Sequence, residues 1–293
     1  QNVDSPAADH ENRILYDAVD DDAVIFYLTE KNRIIATARI APLNQMRFPA
    51  WQSEAFQFEN FDDFAPAAKG FTSRFISDRE WRGSPALAVL FGALYKFARE
   101  RGVRFLFLNS PPSQIHIFER LGYRRLGGNF RNEAGFQVPL VLLLDDLQHM
   151  AAIDSPFRRL AMQYKNSTET ANWFASAFPG LDALGTRPNM TEDDFWAYLT
   201  QRLDQIPIAG VPLLEGLSFT EAKQFLNVGT VLNCAAGDPI IRSGDIGDEM
   251  FVLLSGSAEV RGTDGGEPLA LLEKGDVFGE LGFLAQTPRS AHV

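Results

Sequence analysis

The stretch VFGELGFLAQTPRSAHV, Val277 to Val293, collects residue types that hold a small anion. Phe278, Gly279, Glu280 and Leu281 are predicted to open a short helical turn, whose free N–H groups point outward and favour negative charge. Gly279 allows close backbone approach, Arg289 brings charge-assisted donors and Ser290 adds one more hydroxyl. The plainer alternative is an ion pair between Glu280 and Arg289 in a turn that binds nothing. The presence of Gly279 beside both favours the anion site.

Around this turn the expected elements are short. From near Leu213, LLEGLSFTEAKQFL reads as one helix. Brief strands follow, separated by AAGDP, RSGDIGDE, LSGS, TDGGEP and EKGD, and that spacing predicts a small antiparallel barrel or jelly roll. From about Ala151 to Ile208 strands disappear. FRRLAMQY and TANWFASAF look helical, and Thr191 with Asp194 forms a capping box ahead of FWAYLTQRLDQI, where Phe195, Leu199, Leu203 and Ile206 line one face. Trp173, Trp196 and several Phe make this all-helical connector a packed one.

The first half alternates differently. VIFYLT (24–29) and IIATARI (34–40) are apolar, β-branched runs separated by EKNR, a hairpin pattern. Between Ala41 and Lys69 no period emerges. FTSRFI is a strand candidate, and ALAVLFGALYKFARERG carries apolar residues at helical spacing up to a stop at Gly102. Strand VRFLFLN, short helix SQIHIFERLGY and buried strand QVPLVLLLDDL complete a β-β-(loop)-β-α-β-α-β order, a mixed α/β sheet.

Bulk properties agree with a soluble chain of more than one domain. At 293 residues and 45% apolar content it can bury two cores. Residues 1–150 hold 17 Lys/Arg against 19 Asp/Glu, and 211–293 hold 5 against 12, which argues against a nucleic-acid footprint. A lone Cys234 excludes a disulfide framework, and His10, His116, His149 and His292 lack metal-ligand spacing, so no metal is expected. No apolar run is long enough to span a bilayer, and QNVDSPAADHENR carries no targeting signal, so a cytoplasmic location is expected. The missing initiator Met and abrupt end predict a fragment.

Residues 213–293 resemble the cyclic-nucleotide-binding domain of catabolite activator protein, cyclic-nucleotide kinases and gated channels. The resemblance rests on the entry helix, on GDPIIRSGDIGDEMFVLLSGSAEV and on FGELGFLAQTPRSAHV. It implies that Phe278, Gly279, Glu280, Leu281, Arg289, Ser290 and Ala291 form the phosphate cassette for cAMP or cGMP, with Glu280 accepting from the ribose 2′-hydroxyl. It also implies further barrel strands and a lid helix beyond Val293, so the domain is expected to be incomplete here. Ser290 does not choose between the two bases.

Residues 16–147 resemble the GNAT superfamily of N-acyltransferases, and within it the branch of autoinducer (acyl-homoserine-lactone) synthases and N-acyl amino acid synthases. YDAVDDDAVIFYLTEKNRIIATARIAP, SRFISDREWRGSPALAVLFGALYKFARERG, IFERLGYRRLG and VPLVLLLDDL carry the likeness. It implies that a pantetheine arm lies between FTSRFI and VRFLFLN, with its phosphate groups at the helix start formed by Arg82, Gly83, Ser84 and Ala86. Pro85 stands where the family has Gly and removes a donor. Phe118 occupies the place of the phenol that protonates the leaving thiolate in many members. Phe71 replaces the branch's Glu before Ser73-Arg74. The expected catalytic residues are Arg39, Ser73 and Arg74, with Glu80 and His116 as nearest candidates to hold an attacking base. Asp17 and Asp20 are acidic candidates for the same site, with ordinary surface charge as the favoured alternative, and Arg120, Arg124 and Arg125 read as a solvated helix end or a dock for acidic acyl carrier protein. The 24 Phe suit either an acyl pocket or a plain core.

Together these features predict three parts: a GNAT-like domain over 1–150, a helical connector over 151–212 and a cyclic-nucleotide-binding domain over 213–293. The predicted function is a cyclic-nucleotide-regulated N-acyltransferase that moves an acyl group from an acyl-CoA or acyl-carrier-protein thioester to an amine, such as an amino acid. A nucleotide-controlled protein lysine acetyltransferase and a non-catalytic acyl-thioester sensor are the alternatives. No nucleic-acid partner or membrane span is expected, and an oligomer is compatible with the sequence.

Overall fold

A computed structural model describes residues 8–9, 11, 14–181, 190–245, 249–263, 266–285 and 287–293. His10 and parts of two expected Gly-Asp turns, at 246–248 and 264–265, lie outside the described residues. The structure divides into two compact units. The first holds the described residues to 181 except 111–116 and 134–137, and the second holds those two segments with 190–293.

In the first unit a short antiparallel pair, β1 (Ala8–Asp9) and β2 (Ile14–Leu15), precedes the main sheet. The expected hairpin follows as β3 (Val24–Glu30) and β4 (Arg33–Pro42). Lys31 and Asn32 between them have φ of 47° and 66°, the left-handed pair that a tight two-residue hairpin turn requires. The segment in which the sequence showed no period contains α1 (Ala50–Phe56) and 3-10 turns at Leu43–Gln45, Phe58–Phe61 and Pro66–Ala68. Such pieces are too short to show a helical repeat and are marked mainly by Pro49 and Pro66 at their starts.

Next come β5 (Lys69–Ser77), α2 (Ala86–Glu100), β6 (Phe105–Ser110), α3 (Ile115–Leu121), β7 (Arg124–Arg125), β8 (Phe130–Asn132) and β9 (Gly135–Leu143). Helices α4 (Leu147–Ala152), α5 (Arg158–Ala161) and α6 (Glu169–Ala177) follow. The seven-stranded sheet runs β3-β4-β5-β6-β9-β7, with β8 also on β9; β5 and β6 pair in parallel, whereas β3-β4, β4-β5, β6-β9 and β9-β7 are antiparallel. Alternation along β6 sends Phe105 and Phe107 into an aromatic cluster with Phe56, Phe61 and Phe71. The buried stripe of α2 is Leu90, Leu94, Tyr95 and Ala98, and the Tyr95 hydroxyl donates to the Leu144 carbonyl at 2.7 Å.

The second unit contains α7 (Glu192–Leu203), α8 (Pro207–Gly210), α9 (Phe219–Asn227), β10 (Phe251–Val252), β11 (Ala258–Val260), β12 (Ala270–Leu272), β13 (Val277–Phe278) and α10 (Glu280–Ala285). The Thr191 capping box is present, with Asp194 N–H donating to Thr191 Oγ1 at 3.1 Å, and a second box joins Ser218 and Glu221 ahead of α9. Phe195, Leu199 and Leu203 face inward as expected. Ile206 does not: it is 54% exposed, because the helix ends at Leu203 and Asp204 turns the chain at φ 58°.

In place of a closed barrel, the described residues form two separate two-stranded sheets, β10 with β13 and β11 with β12, plus a bridge between Arg261 and His292. Strands of two or three residues make few ladder bonds. The β10 and β13 side chains Val252 and Val277 pack instead against a core of Leu203, Val211, Leu214 and Ala222. A cavity of about 1300 Å³ within this unit is walled by α7, α9 and residues 228–242. Among the described residues no helix is long and apolar enough to cross a membrane, and no group of three or more potential metal ligands forms.

Candidate functional site

The parallel ladder between β5 and β6 has only three registered pairs, Lys69 with Phe105, Gly70 with Leu106 and Phe71 with Phe107. Strand β5 continues to Ser77, so its edge from Thr72 onward faces β6 without a ladder. This is a splayed strand pair, with its vertex at Phe71 and Phe107. Thr72, the first residue past the vertex, is 5% exposed, and its Oγ1 is buried without a regular hydrogen bond. A buried hydroxyl left in this state is costly, and a bound chain at that edge would satisfy it.

On the same side lies Tyr123, which the sequence reading passed over. It follows Gly122, whose φ of 115° turns the chain out of α3, and its ring meets Phe118 edge-on at 5.7 Å. Burial pushes the Tyr123 phenol above its usual range, while the nearby Thr72 hydroxyl pulls the other way. The phenol therefore remains protonated at neutral pH and can donate a hydrogen bond. Phe118 itself packs against Phe75 and Phe91, as a core residue does.

On the opposite face, pairing across β4 and β5 aligns Arg39 with Ser73, and Arg39 Nε donates to Ser73 Oγ at 2.9 Å. Between Arg39 and Thr37 the register shifts: β4 advances from 37 to 39 while β5 runs from 76 to 73. The extra β5 residue forms a bulge, and Arg74 sits there at φ 52°. The bulge aims Arg74 at the same two carboxylates that Arg39 holds. Arg39 Nη1 reaches Asp17 Oδ1 and Asp20 Oδ1, each at 2.7 Å, while Arg74 reaches Asp17 Oδ2 at 2.7 Å and Asp20 Oδ2 at 3.0 Å. Asp17 and Asp20 also cap a 3-10 turn, Ala18–Asp21, through a reciprocal box.

These aspartates are thus not ordinary surface charge, because the two guanidinium groups hold them in one network. Burial pushes the Asp17 carboxyl up, but the bonds from Arg39 and Arg74 outweigh it and bring it below its usual value. Arg39 itself is 4% exposed. So the structure brings Arg39, Ser73 and Arg74 together and adds Asp17 and Asp20. Glu80 stands apart, exposed in the 3-10 turn Arg79–Trp81. His116 is exposed on α3 and groups with the second compact unit, outside this network.

At the start of α2, Gly83 turns the chain at φ 72° and Pro85 occupies the cap. Ser84 N–H is used by the Trp81 carbonyl at 3.1 Å, but Ser84 Oγ is buried with no partner. Arg82 is exposed, and Ala86 opens the helix. Thr72 begins the unladdered β5 segment, and Ser84 follows β5 in the turn that leads into α2.

The basic cluster of Arg120, Arg124 and Arg125 does not form a surface. Arg124 pairs with Asp146 at 2.6 Å and buried Arg125 pairs with Glu119 at 2.7 Å, leaving only Arg120 exposed. A residue whose charge is matched inside the fold offers little to an acidic partner.

In the second unit, Arg289 is 6% exposed and folds back over the turn that precedes α10. Its Nη1 donates to the Gly279 carbonyl at 2.5 Å, and its Nη2 donates to the Glu249 carbonyl at 2.6 Å and faces Glu249 Oε2 at 3.4 Å. The ion pair therefore forms with Glu249 and not with Glu280, which opens the first turn of α10. The Arg289 backbone is fixed too, donating to the Asp245 carbonyl at 2.8 Å. A Cβ on Gly279 would lie 2.8 Å from Arg289 Nη1, and Gly279 has φ 77°, so only glycine fits there. Phe278 is buried and stacks on Phe251 at 5.2 Å, whereas Leu281 and Ser290 are exposed and Ala291 is half-buried. A guanidinium set against a glycine turn at the head of α10 fits an anion carried by a small ligand.

Comparisons with known proteins agree with both halves. The family "N-acyl amino acid synthase FeeM" matches residues 4–146, and the family "Cyclic nucleotide-binding domain" matches residues 231–293. A cGMP-dependent protein kinase of Toxoplasma gondii is 38% identical over 86 residues, covering 29% of this chain and 8% of that protein. A cAMP-dependent protein kinase regulatory subunit of Mycosarcoma maydis is 39% identical over 85 residues, covering 28% of this chain and 16% of that protein. The chain thus spans only a small part of these relatives. Among solved structures, FeeM, an N-acyl amino acid synthase from uncultured soil microbes, aligns with TM-score 0.38 and 17% identity over 47% of this chain and 75% of that one. The CoA-dependent acyl-homoserine lactone synthase BjaI, with SAM and isopentyl-CoA, aligns with TM-score 0.39 and 19% identity over 51% and 73%. Residues 4–146 thus match an N-acyl amino acid synthase family and residues 231–293 a cyclic nucleotide-binding domain family.

Proposed function

We propose that this chain transfers an acyl group from a coenzyme A or carrier-protein thioester to the amine of an amino acid, under control of cAMP or cGMP. The observation that carries the reading is the splayed pair β5 and β6, whose open edge begins at Thr72 beside Tyr123. In this reading the donor's extended arm lies along Thr72–Ser77 and its phosphate groups meet Arg82, Gly83, Ser84 and Ala86. The thioester then stands at the vertex.

The amine lone pair attacks the thioester carbonyl carbon. As the C–N bond forms and the C–S bond breaks, sulfur leaves with the electron pair as thiolate. The amine proton passes to solvent water, and the Tyr123 phenol donates a hydrogen bond that stabilises the thiolate until it is protonated by solvent. Arg39, Ser73 and Arg74, fixed by Asp17 and Asp20, form a polar wall on the acceptor side.

The domain order proposed is an acyltransferase over 1–150, a helical connector over 151–212 and a nucleotide domain over 213–293 that belongs to the jelly-roll type. Phe278, Gly279, Glu280, Leu281, Arg289, Ser290 and Ala291 hold the cyclic phosphate and ribose. The anion displaces the Glu249 carboxylate from Arg289. Regulation then requires the nucleotide to bind two conformations of the chain with different affinity.

The test incubates the full chain with acyl-CoA and acyl-carrier-protein donors and a panel of amino acids, with and without cyclic nucleotide. N-acyl products are read by mass spectrometry. An N-acyl amino acid whose rate changes with cAMP or cGMP is expected. No product from any pair sinks the enzyme reading, and a product whose rate ignores both nucleotides sinks the regulatory part.

A further inference from the structure

We propose that β3 is an interface: two copies of this chain join edge to edge through it, antiparallel, about a two-fold axis at Tyr27. This contact depends on neither the acyltransferase nor the nucleotide reading.

Strand β3 ends the seven-stranded sheet, with β4 on one side and no described strand on the other. The amide and carbonyl groups along its outer edge are therefore open to another strand. Edges are ordinarily guarded by shortness, a proline, a bulge or an inward charge. β3 has seven residues, and from Val24 to Thr29 neither a proline nor a charge interrupts it. The irregularity of the hairpin falls on the inner strand: β4 passes from Ala36 to Ile34 while β3 advances from Leu28 to Thr29. Phe26 is covered within the chain, edge-on to Phe97 of α2 at 5.3 Å. Alternation puts Ile25 and Tyr27 on the other face, where they are 50% and 61% exposed. The row of Tyr27 continues through Thr37 to Ile76, which is exposed as well.

The charges at the two ends of β3 select a second copy as the occupant. Asp21 and Asp22 precede the strand, Lys31 follows it in the hairpin turn, and all three are exposed. Asp21 accepts from the Tyr16 hydroxyl at 2.9 Å and Arg33 meets Asp78 at 2.8 Å, so Asp22 and Lys31 are the charges offered outward. In a two-fold antiparallel pair the start of each strand lies beside the turn of the other, which brings Asp22 of one copy to Lys31 of its partner twice. Tyr27 then faces Tyr27, Phe26 faces Leu28, Ile25 faces Thr29 and Val24 faces Glu30. Moving the axis to Phe26 would set Glu30 opposite Asp22, and moving it to Leu28 would set Lys31 opposite Ile25. Charge therefore fixes the register as well as the partner. A parallel pair would set acid beside acid.

Sedimentation velocity of the full chain, from low to high micromolar concentration, tests the contact. A dimer is expected. Tyr27→Lys sets a cation against its own copy at the axis and is expected to raise the dissociation constant by about tenfold or more, with an unchanged circular dichroism spectrum. Asp22→Lys and Lys31→Asp are each expected to weaken the dimer by about three- to tenfold, and the two together to restore it. Aspartate suits the left-handed backbone at position 31, so the fold tolerates that change. A wild-type chain that stays monomeric, a dimer that Tyr27→Lys leaves intact, or a double variant as weak as the single ones overturns the proposal.

Discussion

Arg74 Nη2 lies 2.7 Å from Asp17 Oδ2, and the contact is made by a residue held at φ 52°, a conformation that non-glycine residues seldom adopt. The bulge that imposes it carries a conformational cost, offset by two ion pairs and a bond to the Leu15 carbonyl.

Replacing Arg74 separates these two effects. Arg74→Ala loses the pairs and keeps the left-handed strain, whereas Arg74→Gly loses the pairs and relieves it. The glycine variant is therefore expected to be more stable than the alanine variant by about 1 kcal/mol. Urea unfolding of the two proteins measures the difference. Equal midpoints would show that the left-handed backbone is not imposed at position 74.

Acid should loosen the same network. The folded pKa of Asp17 lies below its ordinary 3.8, because the bonds from Arg39 and Arg74 outweigh the opposing effect of burial. A carboxylate depressed on folding adds stability above its unfolded pKa and loses it as pH falls through the folded value. Tm is expected to drop as pH is lowered below 3.8, and Asp17→Asn is expected to flatten that slope. The Asp17 side chain is 37% exposed, so the effect is modest and shrinks in high salt.

Glu249 occupies the Arg289 guanidinium, the group proposed to hold a cyclic phosphate. Glu249→Gln removes the competing charge and retains the backbone carbonyl contact, so cyclic-nucleotide affinity is expected to rise by about three- to tenfold, the size of one modest charge interaction. Arg289→Ala is expected to abolish the rise in Tm that cAMP or cGMP produces. Isothermal titration and thermal melts measure both. Weaker binding by Glu249→Gln would mean that its carboxylate supports the site and does not compete for it.

The Ser84 hydroxyl gives a fourth test. Removing a buried hydroxyl that has no partner costs a fold little and can stabilise it. Ser84→Ala is accordingly expected to leave Tm unchanged or slightly raised, while the KM for the thioester donor rises about fivefold or more. A fall in stability with unchanged KM would assign this group to the fold and not to the donor.

Much of this protein is written in short-range patterns. The hairpin at Lys31 and Asn32, the capping box at Thr191, the helix stop at Gly102 and the glycine turn at Gly279 each depend on residues within a few positions of one another. Dihedral preference and hydrophobic period fix such features before any tertiary contact forms. The irregular segment between β4 and β5 escaped because its one-turn helices are too short to show a period. Ile206 was misplaced because the sequence pattern outlasts the helix by three positions, and Asp204 ends it.

What the tertiary structure alone decided is the set of partners. Asp17 meets Arg74 across 57 positions, Arg289 meets Glu249 across 40, and Arg124 and Arg125 turn inward to meet Asp146 and Glu119. A charge in a sequence carries no sign of which opposite charge it will find. That depends on a register shift in β5, on where the ladder between β5 and β6 stops and on which face each strand buries. These are properties of strand pairing between distant segments, and they emerge only when the sheet has formed.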